Sequence, residues 1–117
     1  MAEPGVLAVR GAVRPDDDTP AAIGAATLEL LTAVLDRNAL SRESVISVFF
    51  TATPDLTADI PALAAAEAGW TAPMLCAAEM AVPGAMPRVI RLLAHVNWPG
   101  GRPVAHVYLR GTGPSRP

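Results

Sequence analysis

The sequence predicts an α+β domain in which one long helix packs against a five-stranded sheet. After residues 16–20, apolar residues recur at helical spacing as far as about residue 38. Five shorter apolar runs have the length of strands, and the run over 88–97 alternates as strands do. A chain of 117 residues is expected to form a single domain over 1–117 with one hydrophobic core.

The predicted elements follow a simple order along the chain. Strands are expected over residues 6–13, 45–51, 73–77, 88–97 and 105–110. The long helix is expected to begin at Pro20 with Thr19 as its N-cap, because an acidic run precedes them and proline suits the first helical position. A shorter helix is expected over 61–68, and Trp70 should anchor the core or an interface. Residues 111–117 are predicted to form a mobile tail.

Composition favours a self-associating protein and excludes several classes of partner. Hydrophobic residues make up 51% of the chain and charged residues only 17%, so a subunit interface is expected to cover the excess apolar surface. The net charge of -2, with no lysine, does not fit a nucleic-acid-binding protein. The chain has no leader-like start, no apolar run of membrane-spanning length and a single cysteine, so we expect a cytoplasmic protein without a membrane partner.

Three charged residues near predicted strand ends carry most of the candidate chemistry: Arg10, Glu79 and Arg91. Arg91 is expected on one face of a largely buried strand, where its guanidinium needs a carboxylate partner or an anionic ligand. Together with Tyr108, these charges fit a structural ion-pair network as well as they fit a binding site for a small dianion. The residues alone leave that choice open.

Other kinds of site find little support in the sequence. His95 and His106 are far apart and belong to no cysteine or histidine cluster, so no metal is expected. Gly100 and Gly101 join two predicted strands instead of preceding a helix, which argues against a phosphate-binding loop. Cys76 and His106 could act as nucleophile and base, but the apolar residues around Cys76 favour a buried, inert thiol.

Five co-linear segments give the chain a family resemblance. They read Val-Arg-Gly-Ala near the start, Thr-Ala-Thr-Pro-Asp-Leu at 51–56, Leu-Cys-Ala-Ala-Glu-Met at 75–80, Val-Pro-Gly-Ala-Met-Pro-Arg-Val-Ile-Arg at 82–91 and His-Val-Tyr-Leu-Arg-Gly at 106–111. Together they resemble the AroH-class chorismate mutases over nearly the whole chain. The resemblance implies a mixed five-stranded sheet with a packed helix, assembled as a homotrimer that forms a pseudo-α/β barrel with active sites between subunits.

The resemblance also implies an activity, the rearrangement of chorismate to prephenate in the shikimate pathway of aromatic amino acid biosynthesis, which needs no cofactor. Arg10 and Tyr108 match family positions that hold a substrate carboxylate. Arg91 matches the catalytic cation at the breaking ether bond, and Glu79 matches the carboxylate that meets the substrate hydroxyl. The other implied contacts of the substrate are the backbone of Leu75, Ala77 and Ala78, the thiol of Cys76 beside Glu79, and Arg116 in the tail.

Three positions depart from the family pattern at the rim of the expected cleft. Leu63 and Ala66 stand where basic residues are expected, and Ile60 replaces an aromatic residue. We therefore expect weaker capture of the substrate by an otherwise intact set of central charges. The altered rim raises two alternatives: an enzyme of the same fold that acts on a modified chorismate, and a non-catalytic trimeric binding or regulatory protein.

Overall fold

The structure is a computed structural model that describes residues 3–113, and its elements follow the predicted order. The strands are β1 (Gly5–Val13), β2 (Val45–Ala52), β3 (Met74–Ala78), β4 (Ile90–Trp98) and β5 (Val107–Tyr108). The helices are α1 (Pro20–Arg37) and α2 (Pro61–Glu67), with a 3₁₀ turn at Arg42–Ser44. The prediction of an α+β domain is confirmed.

The five strands form one mixed sheet in the order β3-β2-β4-β1-β5. β4 pairs antiparallel with both β1 and β2, and β3 and β5 join as parallel strands at the two edges. Neighbouring strands are separated by about 4.8 Å, so β3 and β5 lie about 19 Å apart across the sheet. Residues on these two edge strands therefore cannot contact the same small molecule within one chain.

Helix α1 covers one face of the sheet. The Thr19 side chain accepts a hydrogen bond from the Ala22 amide at 3.1 Å, and Pro20 occupies the first turn, as predicted. Leu30 and Leu31 of this helix share one hydrophobic cluster with Trp70, which is 7% exposed and so belongs to the core. Alternate residues of β4 complete the cluster: Ile90, Leu92, Ala94, Val96 and Trp98.

The opposite face of the sheet leaves large apolar side chains exposed. Phe49 is 44% exposed, Leu93 is 37% exposed and Leu75 is 67% exposed. Phe49 of β2 is paired with Leu75 of β3 on one side and with Leu93 of β4 on the other. These three residues form a continuous apolar strip across three strands, and a strip of this kind favours contact with another subunit.

Strand β5 is shorter than predicted, and the expected strand over 105–110 is wrong at both ends. The Asn38 side chain holds Ala105 outside the sheet, donating to its carbonyl at 2.9 Å and accepting from its amide at 2.8 Å. Arg110 has a φ of 53°, a left-handed conformation that is incompatible with continuing the strand. Only two residue pairs therefore join β5 to β1.

Strand β4 also begins later than predicted, at Ile90 instead of Arg88. Arg88 has a φ of 50°, and both oxygens of the Asp55 carboxylate accept hydrogen bonds from its amide. The next amide, that of Val89, donates to the Thr53 hydroxyl at 2.9 Å. The turn over 53–55 thus occupies the backbone groups that would otherwise extend the strand.

The mobile tail predicted over 111–117 is anchored at its start. Thr112 is buried, and its hydroxyl oxygen lies within hydrogen-bond distance of two carbonyl oxygens, that of Ala12 at 3.1 Å and that of Leu109 at 2.7 Å. Arg110 forms ion pairs with Asp16 and Glu29. Residues 114–117, including Arg116, lie outside the described residues.

Asp18 ties the start of α1 to the segment that precedes α2. Its carboxylate accepts hydrogen bonds from the Thr57 hydroxyl at 2.8 Å, the Thr57 amide at 2.9 Å and the Ala58 amide at 3.0 Å. These bonds lower the pKa of Asp18 below its ordinary value, and the Thr57 hydroxyl contributes most to the shift.

Asp18→Asn is expected to lower the unfolding temperature modestly at neutral pH, because the amide offers one acceptor oxygen where the carboxylate offers two. The pKa of Asp18 is lower in the folded state than in the unfolded state, so its stabilisation is present above the unfolded-state pKa and disappears as the pH falls through the folded-state pKa. Thermal unfolding of both proteins across the acid range should therefore show their unfolding temperatures converging. A difference that stays constant with pH would contradict this.

Candidate active site

A cleft of about 720 Å³ opens on the sheet face opposite α1. Arg10, Glu79, Arg91 and Tyr108, four of the residues predicted for the site, all line it. Residues of the segment over 80–86, which connects β3 to β4, form an additional wall. The fold therefore gathers the central charges of the sequence prediction around one space.

Glu79 is oriented in the cleft by two partners. One carboxylate oxygen pairs with the Arg91 guanidinium, and the other accepts a hydrogen bond from the Thr51 hydroxyl at 2.7 Å. Thr51 and Arg91 are paired across β2 and β4, which places both side chains on the same face. The Glu79 amide donates to the Ala52 carbonyl at 2.8 Å, so the backbone stays beside β2 just beyond the end of β3.

The Arg91 side chain is less buried than predicted. It is 43% exposed, and the side chain of its partner Glu79 is 21% exposed. In β4 the residues facing α1 are buried, whereas Arg91 points to the open face. The guanidinium has five N–H donors, and among the described residues its one hydrogen bond goes from Nη1 to Glu79. Its other N–H groups can donate hydrogen bonds to an anionic ligand without breaking the pair.

Arg10 adds a second cation to the cleft. Arg10 is paired with Leu93 and Ala12 with Arg91, so the two arginines lie on adjacent strands, offset by two residues. That offset separates their Cα atoms by about 8 Å. Tyr108 on β5 is paired with Ala12, on the other side of β1. Two cations at this spacing, with a phenol beside them, suit a small molecule that carries two negative charges.

The β3 residues predicted for the site do not line this cleft. Leu75, Ala77 and Ala78 lie three strands away from Arg10, about 14 Å across the sheet. On α2, the rim residues Leu63 and Ile60 are 53% and 48% exposed and do not line it either. A single chain therefore leaves the β3 and α2 part of the predicted site apart from the charged part.

Cys76 faces away from the charged cleft. It is paired with Phe50, which is fully buried in the core, and its own side chain packs against that core. Burial raises the pKa of the Cys76 thiol, which keeps it in the less reactive neutral form. His106 lies next to β5 at the opposite edge of the sheet, so the two residues cannot act as nucleophile and base within one chain.

The sequence prediction did not include Thr51 or the apolar lining of the cleft. Thr51 belongs to the Thr-Ala-Thr-Pro-Asp-Leu segment, but only the pairing of β2 with β4 reveals that it stands beside Arg91. The sequence offered one signal for Thr51, a hydroxyl side chain at the end of a predicted strand. Further lining residues include Phe49, Met80, Val82, Met86, Leu93 and His95.

Residues 3–113 contain neither a metal-binding cluster nor a membrane-spanning helix. No group of three or more histidine, cysteine or acidic residues in this range could hold a metal ion. Within the same range, neither helix has the length and apolar character needed to cross a membrane.

Comparisons with known proteins agree on one family. Residues 6–117 match the family model described as chorismate mutase type I. The chain is 48% identical over 109 residues to the chorismate mutase AroH of Thermus thermophilus, and the aligned region covers 90% of this chain and 88% of that protein. It is 35% identical over 107 residues to the chorismate mutase AroH of Bacillus subtilis, and this alignment covers 89% of this chain and 84% of that protein. A solved chorismate mutase from Clostridium thermocellum superimposes with a TM-score of 0.82 at 38% identity, covering 91% of this chain and 96% of that one.

Proposed function

This chain belongs to the chorismate mutase type I family, and we propose that it rearranges chorismate to prephenate in the cleft described above. The observation that carries the proposal is the Arg91–Glu79 pair beside Arg10 in a partly open cleft. A protein without a ligand has no evident reason to gather these charges around a space of this size.

The proposed reaction is a unimolecular pericyclic step, so the protein contributes positioning and electrostatics and forms no covalent bond. As the ether bond of chorismate lengthens, negative charge grows on its oxygen and positive charge grows on the ring. A fixed Arg91 beside that oxygen stabilises the transition state more than the bound substrate. Because Glu79 and the sheet already hold the guanidinium, little reorganisation is needed as the charge develops.

The other cleft residues have positioning roles in this proposal. Arg10 and Tyr108 hold a substrate carboxylate, and Arg10 thereby favours the compact conformer that an extended substrate rarely adopts. Glu79 meets the substrate hydroxyl and lies near the ring, where its negative charge offsets the developing positive charge. The hydrogen bond from Thr51 fixes which way that carboxylate points.

We further propose that the protein is a homotrimer, a pseudo-α/β barrel whose active sites lie between subunits. The apolar strip of Leu75, Phe49 and Leu93 gives each chain an exposed surface for association. Within one chain Leu75, Ala77 and Ala78 do not line the cleft that holds Arg10, so in this proposal they contact the ligand from a neighbouring subunit. In this arrangement the segment over 75–78, with Cys76, and the rim on α2 complete the cleft of the next chain.

A direct assay tests the proposed activity. Purified protein in the presence of a chelator is expected to consume chorismate and to form an equal amount of prephenate. Binding of chorismate without turnover would favour a non-catalytic binding or regulatory protein, and neither binding nor turnover would favour a modified chorismate as substrate. The proposal places the protein in the cytoplasm, in the biosynthesis of aromatic amino acids.

The apolar rim on α2 predicts weak substrate capture. Leu63 and Ala66 cannot pair with a substrate carboxylate, so we expect a raised KM with a kcat that is not reduced in proportion, because uniform binding chiefly sets KM. Leu63→Lys or Ala66→Arg should lower KM by about three- to tenfold.

Thr32→Lys serves as the control for this experiment. It adds the same charge on the exposed outer surface of α1 and should leave KM unchanged. If neither rim variant lowers KM relative to this control, α2 does not face the substrate.

A further inference from the structure

We infer that His106 is a positioning residue, which fixes Arg10 relative to Tyr108 through one hydrogen bond. The backbone amide of Arg10 donates to Nδ1 of His106 at 3.0 Å. Arg10 lies on β1 and lines the cleft, while His106 directly precedes β5, the strand that carries Tyr108. The inference rests on the proposed function, in which Arg10 and Tyr108 together hold a substrate carboxylate.

This bond takes the place of a missing backbone bond at the edge of the sheet. The β1–β5 ladder has only two pairs, Gly11 with Val107 and Ala12 with Tyr108. The amide of Arg10, one residue before the first pair, still needs an acceptor. An imidazole nitrogen supplies it, so a side chain extends the ladder to the residue that carries the cleft cation.

Side chains hold the rest of the β5 segment as well, but at other places. Asn38 binds the backbone of Ala105 before the strand, and the Thr112 hydroxyl binds the carbonyl of Ala12 after it. Over residues 3–113, the His106 bond is the one that joins a β5-segment side chain to the backbone of Arg10. It therefore controls the relation between the two cleft residues, whereas the others control where the segment enters and leaves the sheet.

The geometry of this hydrogen bond determines which residues can take the place of His106. Nδ1 accepts a proton in the hydrogen bond, so it must carry a free lone pair. In asparagine the side-chain oxygen is bonded to Cγ, as Nδ1 is in histidine. In glutamine the oxygen lies one bond further from the backbone. Asparagine can therefore accept the Arg10 amide in the native geometry, whereas glutamine and alanine cannot.

Steady-state kinetics with chorismate test the inference in three variants. His106→Ala and His106→Gln are expected to lower kcat/KM by about five- to tenfold, mainly through KM, since a misplaced Arg10 weakens substrate positioning. His106→Asn should recover kcat/KM to within about twofold of the wild type. Equal activities of the Asn and Gln variants, or no loss in the Ala variant, would overturn the inference.

A second background shows whether His106 acts through Arg10. In Arg10→Ala, adding His106→Ala is expected to cause no further loss of kcat/KM, because the positioned group is already absent. The same five- to tenfold loss in both backgrounds would mean that His106 acts elsewhere, and the inference would fail.

Amide hydrogen exchange at Arg10 needs no substrate and separates this inference from the proposed function. Exchange should be slow in the wild type and in His106→Asn, and faster in His106→Ala and His106→Gln. If the wild-type protein does not convert chorismate, the proposed function fails, and these exchange rates still decide whether His106 holds Arg10. Equal exchange in all four proteins would overturn the inference even for an active enzyme.

Discussion

Leu75→Glu is expected to dissociate the protein into folded monomers and to abolish its activity. Leu75 is 67% exposed in the single chain, so a carboxylate there costs the monomer fold little. In the proposed trimer the same carboxylate would be buried in the apolar strip without a partner, at a cost of about 3–5 kcal/mol per interface. Light scattering should give about three chain masses for the wild type and about one for the variant.

Thr32→Glu is the matched control for this experiment. It places the same charge on the exposed outer surface of α1, away from the strip, and should remain trimeric and active. A wild-type protein that is monomeric at micromolar concentration would contradict the assembly. If the Leu75→Glu variant stayed trimeric and fully active, the apolar strip would not be part of the subunit interface.

Most of the fold could be predicted because its determinants are local. The start of α1 depends on Thr19 and Pro20, which act within one turn of helix. The alternation of β4 depends on which of its residues face α1, and the sequence shows this directly. Such signals need no knowledge of which strands are neighbours.

The incorrect predictions involve contacts between residues that are distant in the sequence. Strand β5 is shortened because Asn38, some 67 residues earlier, captures the backbone of Ala105. Thr51 was missed because its position beside Arg91 depends on the pairing of β2 with β4. The exposure of Arg91 depends on a sheet face that no element of the described chain covers. None of these contacts leaves a local pattern in the sequence.

Arg91→Ala is expected to remove about 3–5 kcal/mol of transition-state stabilisation, a fall in kcat of roughly 10²- to 10³-fold or more. The expectation follows because the lost cation faces charge that develops only as the ether bond breaks. Arg91→Lys restores the charge without the planar fork, so its kcat should lie between those of the wild type and the alanine variant.

A purely structural ion pair predicts a different outcome for the same change. If Arg91 served only to hold Glu79, its removal would leave a largely buried carboxylate with Thr51 as its remaining side-chain partner. The unfolding temperature would then fall, and activity would decline only to the extent that the protein unfolds. The kcat of the folded protein therefore separates the two explanations, and the unfolding temperature shows whether the protein is folded in the assay.

The most direct test of electrostatic catalysis by Arg91 is to measure kcat for chorismate and the unfolding temperature on one preparation of Arg91→Ala. We predict a trimer that is still folded at the assay temperature, with a lowered unfolding temperature because Glu79 loses its partner, and a kcat per folded protein reduced at least about 100-fold. A folded trimer that converts chorismate with near-normal kcat would contradict the account.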